Sequence, residues 1–470
     1  MRSIVWFRGK DLRVADHGPL AAAAAAGEVI PLFVLDPFFF ASERARDLPH
    51  RMQFLLASLV SLEANLARLG SRLLVVPGRS VEVVPRLATA WKADQVLAHR
   101  WVEPFARERD RRVAEALARE GVVFRLFEGE TLLPPGSVRN GQGGMFRVFT
   151  PFARACGAKL DLEPALAAPL SLPPVSADIR ADTVPIPSPQ ALGLTPNPRL
   201  QAGGERAAHQ RLKAFLEAAL ADYGTGRDRM DLPGTSRLSA DLKFGTLSVR
   251  SLWQAAAAAE AGESGHRYLN ELLWREFSHH LLWEWPEVLE RPFRPAFEGF
   301  PWREDQAAWE AWTEGRTGYP VVDAAARQLK AEGFVHNRAR MVAASFLTKH
   351  LLLDYRRGEA HYLRWLTDGD WAANNAGWQW CAGCGCDAQP WFRVFNPTSQ
   401  GLKFDPEGAY VRRWVPELAD CSTAFIHEPW KAPQAVRLRL DYPEPIVDHG
   451  FARERFLKEA RAHLDRARMG

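Results

Sequence analysis

Between Ser3 and Phe127, short apolar runs alternate with stretches whose apolar residues recur at helical spacing. The runs are SIVWF, VIPLFVLD, RLLVV, QVLAH and VVFRLF, rich in β-branched and aromatic residues as buried strands are. Helices are predicted between them: an Ala-rich one after the first run, then Arg51–Leu69, Glu82–Trp91 and about Pro104–Glu120. Strands alternating with helices make βαβ units and a parallel sheet, Rossmann-like in outline. The first run leads into FRGKDLR and not into G-x-G-x-x-G, so the glycine cradle for a dinucleotide pyrophosphate is missing.

From Leu132 to Pro198 the periodicity fades and Pro recurs. This stretch reads as an extended connector, part of it packed on the surface, because a passive loop of that length is unusual. Helical spacing returns from about Gly204. It predicts helices over Gln210–Ala221, Leu247–Ala261, Tyr268–Leu282, Asp305–Glu314, Val321–Glu332, Asn337–Leu352 and Glu359–Leu366. The expected fold is an α/β domain with a Rossmann-like parallel sheet over residues 1–130, a connector over 131–200 and an all-α domain over 201–470.

Composition adds limits. A chain of 470 residues is too long for one compact core, which agrees with two domains. Hydrophobic content of 47% and charged content of 25% are ordinary for a soluble protein. No apolar run approaches a membrane span, and MRSIVWFRGKDLR has no signal-peptide layout, so a cytoplasmic protein without membrane contact is expected. A net charge of +4 permits a nucleic-acid partner without requiring one. Five cysteines, an odd count, argue against a disulfide framework. Cys381, Cys384 and Cys386 form a C-x-x-C-x-C cluster that could suggest zinc or iron–sulfur. No fourth ligand stands at motif spacing, and a tight turn of small residues accounts for it equally well, so no metal is expected.

Three stretches carry chemistry. Asp368 to Phe404 holds two carboxylates a residue apart, two adjacent amides and Trp371, Trp378, Trp380 and Trp391, with few aliphatic residues. It reads either as a polar, aromatic pocket lining for a large flat ligand or as a Trp-rich packing seam. GTSRLSADLKFG, from Gly234, looks like a helix start rich in hydroxyls, where free N–H groups favour phosphate; a plain Ser/Thr cap fits it too. In NELLWREFSHHLLW, residues Glu271, Trp274, Arg275 and Ser278 fall on one helical stripe that should be buried.

GTSRLS, LNELLWREF, TGYPVVDAAARQL, HNRARMVAASFL, DGDWAANNAGWQW and FNPTSQGLKFDPEGAYVRRWVPEL stand in the order and spacing of one family. Over essentially its whole length the chain resembles the DNA photolyase/cryptochrome family, and within it the microbial branch that repairs cyclobutane pyrimidine dimers. The resemblance implies FAD in the helical domain and ultraviolet-damaged DNA as partner, with the protein acting as a monomer. By match, Tyr223, Thr235, Ser236, Arg237, Leu238 and Ser239 would hold the phosphates and ribityl chain. Tyr268, Glu271, Arg275, Asn337 and Arg340 would surround the pocket, with Asp368, Gly369 and Asp370 near the isoalloxazine and adenine. Asn374 would face flavin N5. An amide there cannot release a proton at neutral pH, whereas the plant receptor branch carries Asp, so Asn374 favours repair over signalling.

The resemblance further implies that Trp274 and Trp380 flank a flipped-out dimer and that Glu271 hydrogen-bonds the damaged base. Met341 matches the dimer-repair branch rather than the six-four branch, and Arg227, Arg338, Arg393 and Gln400 are candidates for the DNA rim. Blue light would drive an electron from reduced FAD into the dimer. A cryptochrome-type blue-light receptor and a six-four photolyase are the alternatives; the absence of a long polar tail before Gly470 speaks against the receptor.

There are departures from the family pattern. Trp378 and Trp302 match the inner and outer members of the tryptophan relay that reduces the flavin in many relatives, but Tyr355 stands in the middle, which suggests a detour such as Trp365. Tyr268 replaces a Trp at the pocket wall. WVEPFARERD lacks the Asn-Glu pair of the best-known folate antenna site. A second chromophore such as methenyltetrahydrofolate or hydroxy-deazaflavin, another flavin, or none, therefore all stay open.

Overall fold

All five apolar runs form strands in the computed structural model, which describes residues 1–469 and leaves Gly470 outside the described residues. The strands are β1 (Arg2–Phe7), β2 (Glu28–Leu35), β3 (Leu74–Pro77), β4 (Gln95–His99) and β5 (Val123–Phe127). They make one parallel sheet in the order β3-β2-β1-β4-β5. In β1 and β2 nearly every residue is buried, because helices cover both faces. That double burial is why these strands read as continuous apolar runs and not as alternation. The strand order reverses between β1 and β4, so a doubly wound crevice opens at their C-terminal ends.

The chain forms two compact units. One comprises Met1–Ala221 with Ser236–Pro286, the other Asp222–Thr235 with Glu287–Gly470. In the first unit the connector is tied to the α/β layer at intervals. The N–H groups of Leu132 and Leu133 donate to the fully buried Glu276 carboxylate at 2.9 Å each. Leu172 donates to the Leu69 carbonyl at 2.7 Å, and Val184 to that of Val75 at 2.9 Å. The Val184 bond covers part of the open edge of β3, a place where an unpaired strand would otherwise invite a foreign one. One connector helix, Phe149–Lys159, has no counterpart in the sequence reading. Its Pro151 lies in the first turn, where a missing N–H costs nothing, although in sequence the Pro reads as a breaker.

The predicted helices of the second half form with shifted ends: Glu205–Ala218, Val249–Ala258 and Gly262–Glu284 in the first unit, and Gln306–Glu314, Pro320–Glu332 and Tyr355–Trp365 in the second. The helix predicted to run to Leu352 is corrected: it stops at Ser345 and passes into a π turn, Phe346–His350. The helix start expected within GTSRLSADLKFG forms at Ser239. Thr235 to Leu238 are non-helical, and only a six-residue helix, Ser239–Phe244, follows.

In the second unit, Asp305, Asp354 and Asp370 each cap a helix by accepting a backbone N–H at its first turn. The Trp-rich stretch forms the helix Trp371–Ala382, ended by Gly383 at φ 87°, a left-handed conformation that side-chain-bearing residues avoid. Its buried face joins a large core with Trp312, Phe346, Tyr355, Tyr362 and Trp378. Helices Tyr355–Trp365 and Trp371–Ala382 touch at Gly358: a Cβ there would lie 2.3 Å from the Trp378 ring. Gly358→Ala is therefore expected to displace that indole and to destabilise the protein by roughly 1–3 kcal/mol, the range for overpacking. Chemical denaturation with Trp fluorescence checks both.

Candidate functional site

In the second unit, the helix Asn337–Ser345 presents Arg340, which is fixed at both ends of its guanidinium. Nε donates to the Val335 carbonyl at 2.7 Å and one terminal nitrogen donates to Asp368 Oδ2 at 2.8 Å. The Asp368 side chain is 6% exposed, and its Oδ1 is buried without a protein partner. A carboxylate at that burial loses most of its hydration; the guanidinium offsets that cost and leaves one oxygen free to accept. Two residues on, Asp370 caps the helix that carries Asn374. The Asn374 amide nitrogen donates to the Glu359 carbonyl at 3.1 Å, while its oxygen makes no hydrogen bond to a described residue. One turn later, Gly377 leaves open space where a side chain would stand.

Glu359 was not legible in the sequence as a member of this group. Its carboxyl accepts from Asn375 at 3.0 and 3.2 Å and is 8% exposed. Burial pushes its pKa up to about 7. It lies in RRGEAHY, a stretch that looks like a solvated helix face.

The remaining predicted residues of this unit are more dispersed in role. Tyr223 is buried under the Arg227 guanidinium, 5.4 Å from its ring. Gly234, next to Thr235, lies so close to Gly226 that a Cβ would meet its carbonyl at 2.3 Å, so this loop is folded back on itself. Asn337 donates to Met341 Sδ at 3.6 Å. Arg338, expected at the DNA rim, is already bonded to Asp228 at 2.7 Å and lies over Phe404. Trp380 is half-buried, Arg393 is exposed and Gln400 is half-buried. Tyr355 is buried against the half-buried Trp302, ring centroids 6.4 Å apart.

In the first unit, Ser236, Arg237 and Leu238 form an irregular stretch in which Arg237 takes φ 52°, and Ser239 opens the helix that follows. Ser236 Oγ accepts from Leu238 N, and the same side chain is hydrogen-bonded to the buried Tyr268. On the helix Gly262–Glu284, Glu271, Trp274, Arg275 and Ser278 lie at the expected spacing, but of the four only Ser278 is buried and the other three are half-buried. Arg275 donates to the Glu130 carbonyl at 2.7 Å. Trp274 lies flat on Phe149, centroids 3.7 Å apart and planes 8° apart, so one indole face is already covered. At the C-terminal ends of β1 and β4 the crevice is filled by ion pairs: Arg8 with Asp110 at 2.7 Å, and Lys10 with Glu103 and Glu130. Asp11, His17 and His99 also converge there with donor atoms within 4.8 Å of one another, a metal-like triangle. His17 Nδ1 accepts from Leu20 N at 3.0 Å and His99 Nδ1 lies 3.4 Å from Asp11 Oδ2, while His17 Nε2, 3.9 Å from Asp11, is buried without a hydrogen-bond partner among the described residues.

Two family descriptions match the chain: "DNA photolyase" over residues 3–173 and "FAD binding domain of DNA photolyase" over residues 268–462. A deoxyribodipyrimidine photo-lyase of Agrobacterium fabrum is 39% identical, the match covering 97% of this chain and 96% of that protein. The chain belongs to the DNA photolyase family. Among solved structures, a bacterial class III photolyase from Agrobacterium tumefaciens is similar at a TM-score of 0.90 and 37% identity, over 99% of this chain and 98% of that one. An archaeal photolyase from Sulfolobus tokodaii with two FAD molecules gives 0.86 and 31%, over 98% and 100%. The family's FAD-binding domain fits what the second unit offers. Asp368 Oδ1 is a buried acceptor with no hydrogen-bond partner among the described residues, and the Asn374 oxygen accepts no hydrogen bond from a described residue.

Two outcomes follow from these contacts. Arg340→Met should destabilise the protein by about 3 kcal/mol, because it strands a buried carboxylate, and Asp368→Asn in the same chain should restore most of that loss. Urea denaturation of the two variants checks it. For Glu359, the native state holds a proton between about pH 4.5 and pH 7 that the unfolded chain has released. Stability is then full below that window and falls as pH rises through it. Glu359→Gln should remove a decline of about 1–3 kcal/mol between about pH 4.5 and pH 7, read by urea denaturation of both proteins at each pH.

Proposed function

We propose that the protein repairs cyclobutane pyrimidine dimers in ultraviolet-damaged DNA under blue light. The observation that carries this reading is Asn374, an amide in the place where a receptor would carry an acid, in a chain alike along its whole length to deoxyribodipyrimidine photo-lyases. Bound reduced FAD, on absorbing light, supplies the electron that opens the cyclobutane ring and takes it back afterwards. The chain's residues prepare that event. Arg340 and Asp368 anchor the cofactor through the free Asp368 oxygen, and their charges favour its anionic reduced form. Asn374 accepts a hydrogen bond without itself giving up a proton. Tyr223, Thr235, Ser236, Arg237, Leu238, Ser239, Tyr268, Arg275, Asn337, Gly369 and Asp370 complete the cofactor contacts.

Glu271 hydrogen-bonds the extruded base and Met341 packs beside it. Trp274, which Phe149 holds flat from behind, and Trp380 supply the faces on which the lesion stacks. Arg227, Arg393 and Gln400 meet the phosphate backbone, joined by Arg338 where phosphate replaces Asp228. The protein acts as a cytoplasmic monomer in this reading; among the described residues no helix is long and apolar enough to cross a membrane. A planar antenna chromophore of the folate or deazaflavin class belongs to the α/β unit, and it would show as an absorption band separate from the flavin's.

Irradiated DNA incubated with the reduced protein should lose dimers under blue light and keep them in darkness. A receptor of the same fold would leave the dimers in place under both conditions, and a six-four enzyme would remove the other lesion instead. Trp380→Ala should weaken binding to dimer-containing DNA by about 5- to 150-fold, the value of one base–aromatic stack, while undamaged DNA binds as before.

A further inference from the structure

The loop that carries Arg393, from Cys384 to Asn396, has no helix or strand of its own. Two buried hydrogen bonds fix it to the second unit. Gln389, on the loop, donates to the Cys381 carbonyl at 2.9 Å, near the end of the helix Trp371–Ala382. Lys349, in the π turn Phe346–His350, donates from Nζ to the Arg393 carbonyl at 2.8 Å. Between these anchors Arg393 N–H closes a turn onto the Pro390 carbonyl at 2.9 Å. That turn holds Phe392, 59% exposed, and the exposed Arg393 out in solvent.

Lysine is a costly anchor. A neutral donor would make the same bond without taking a charge out of water, and a fully buried lysine ordinarily has an anion beside it. Lys349 is 0% exposed, and among the described residues no carboxylate pairs with it. The titratable and charged groups that act on it are the thiols of Cys381 and Cys384 and the guanidinium of Arg393. From the helix His449–Met469, Phe456 offers a ring face 5.6 Å from Nζ, while His449 and Arg455 bond to the neighbouring His350. Neither Asn337–Ser345 nor Tyr355–Trp365, which also pack on this turn, supplies a charge that acts on it. Burial pushes the Cys381 thiol up to about 12, raises that of Cys384 too, and takes His350 down to about 3, so all three are neutral around pH 8. The ammonium therefore has a cation for company and no anion, and burial brings its pKa down to about 8.

We propose that Lys349 is a positioning residue for DNA: it sets the Phe392–Arg393 turn, and the anion it lacks is a backbone phosphate that Arg393 holds in the complex. The proposal rests on the repair reading above. A phosphate oxygen on the exposed guanidinium makes a charge-assisted hydrogen bond and brings a negative charge over the carbonyl that Lys349 supports. No covalent bond changes; a proton equilibrium shifts. The phosphate favours the charged amine, so the Lys349 pKa rises from about 8 when DNA binds. Affinity is then full below about pH 8 and is lost as pH rises through 8 toward the higher value of the complex.

The test is binding of an oligonucleotide with one thymine dimer to the FAD-bound protein at fixed ionic strength, by fluorescence anisotropy, in the parent, Lys349→Met and Arg393→Gln. Between pH 6.5 and pH 9 the parent should lose about fivefold in affinity, the linkage expected of a rise of about one pKa unit. Lys349→Met should bind no better than the parent does at high pH and show no such decline, and Arg393→Gln should lose the decline as well. Calorimetric titration in two buffers of different ionisation heat reads the same linkage on the parent alone, which should take up about half a proton at pH 8.5. That measurement decides the matter if Lys349→Met does not fold. A Lys349→Met that is weaker by one factor at every pH and keeps the parent's decline marks a lysine that only braces the loop, and overturns the proposal. A parent that takes up no proton overturns it too, and both results leave the repair reading intact. A protein that does not bind dimer-containing DNA at all overturns both.

Discussion

A negative charge inside an apolar unit sets the terms for everything near it. The Asp368 side chain is almost fully enclosed, and a lone charge there would bear the full cost of lost hydration. One guanidinium prevents this, and it can do so only because Arg340 is itself immobilised by the Val335 carbonyl. The helix Asn337–Ser345, the turn before Trp371–Ala382 and the cap at Asp370 therefore have to hold their mutual positions to within a hydrogen-bond length. A protein seeking stability alone would gain more from a hydrophobic pair. Retaining the ion pair with one carboxylate oxygen unspent is the arrangement expected where a ligand completes the bonding.

Much of the fold could be read because burial writes itself into composition. β1 and β2 are enclosed on both faces, so their residues are uniformly apolar and the parallel sheet follows. The connector could be recognised as extended but not drawn, since its anchors are backbone bonds to Leu69 and Val75 that leave no side-chain pattern. The helix Phe149–Lys159 was hidden by Pro151, and the turn at Phe346–His350 by an unbroken helical periodicity through ASFLTKHLL. Both are cases where a tertiary contact decides a local conformation against its local signal.

The site divides in the same way. Arg340, Asp368 and Asn374 were legible through their matched motifs, and the Arg340–Asp368 bond lies where electrostatics requires one. Glu359 was not, because a glutamate between arginines on an amphipathic helix is indistinguishable from a solvated one until the Asn375 side chain is seen to enclose it. Nor could the sequence show that Arg338 is spoken for by Asp228, some hundred positions earlier in the chain, or that Phe149 backs Trp274. Pairings between distant positions with ordinary residue types leave no trace in spacing.

The excess of tryptophan, 17 against 7 tyrosines, then has two explanations that apply to different rings. Trp274 and Trp380 are half-buried, and Trp274 is stacked on Phe149 over one face. Trp312 is enclosed with its N–H satisfied, and as packing alone a Phe or Leu would serve there without needing a hydrogen-bond partner. What indole adds over those is a low oxidation potential combined with a proton that stays in place. A tyrosine offers the first only where a base stands ready, and the buried hydroxyl of Tyr362 has none among the described residues. The same exclusion of water that leaves the Tyr362 hydroxyl without a partner raises Glu359 to about 7.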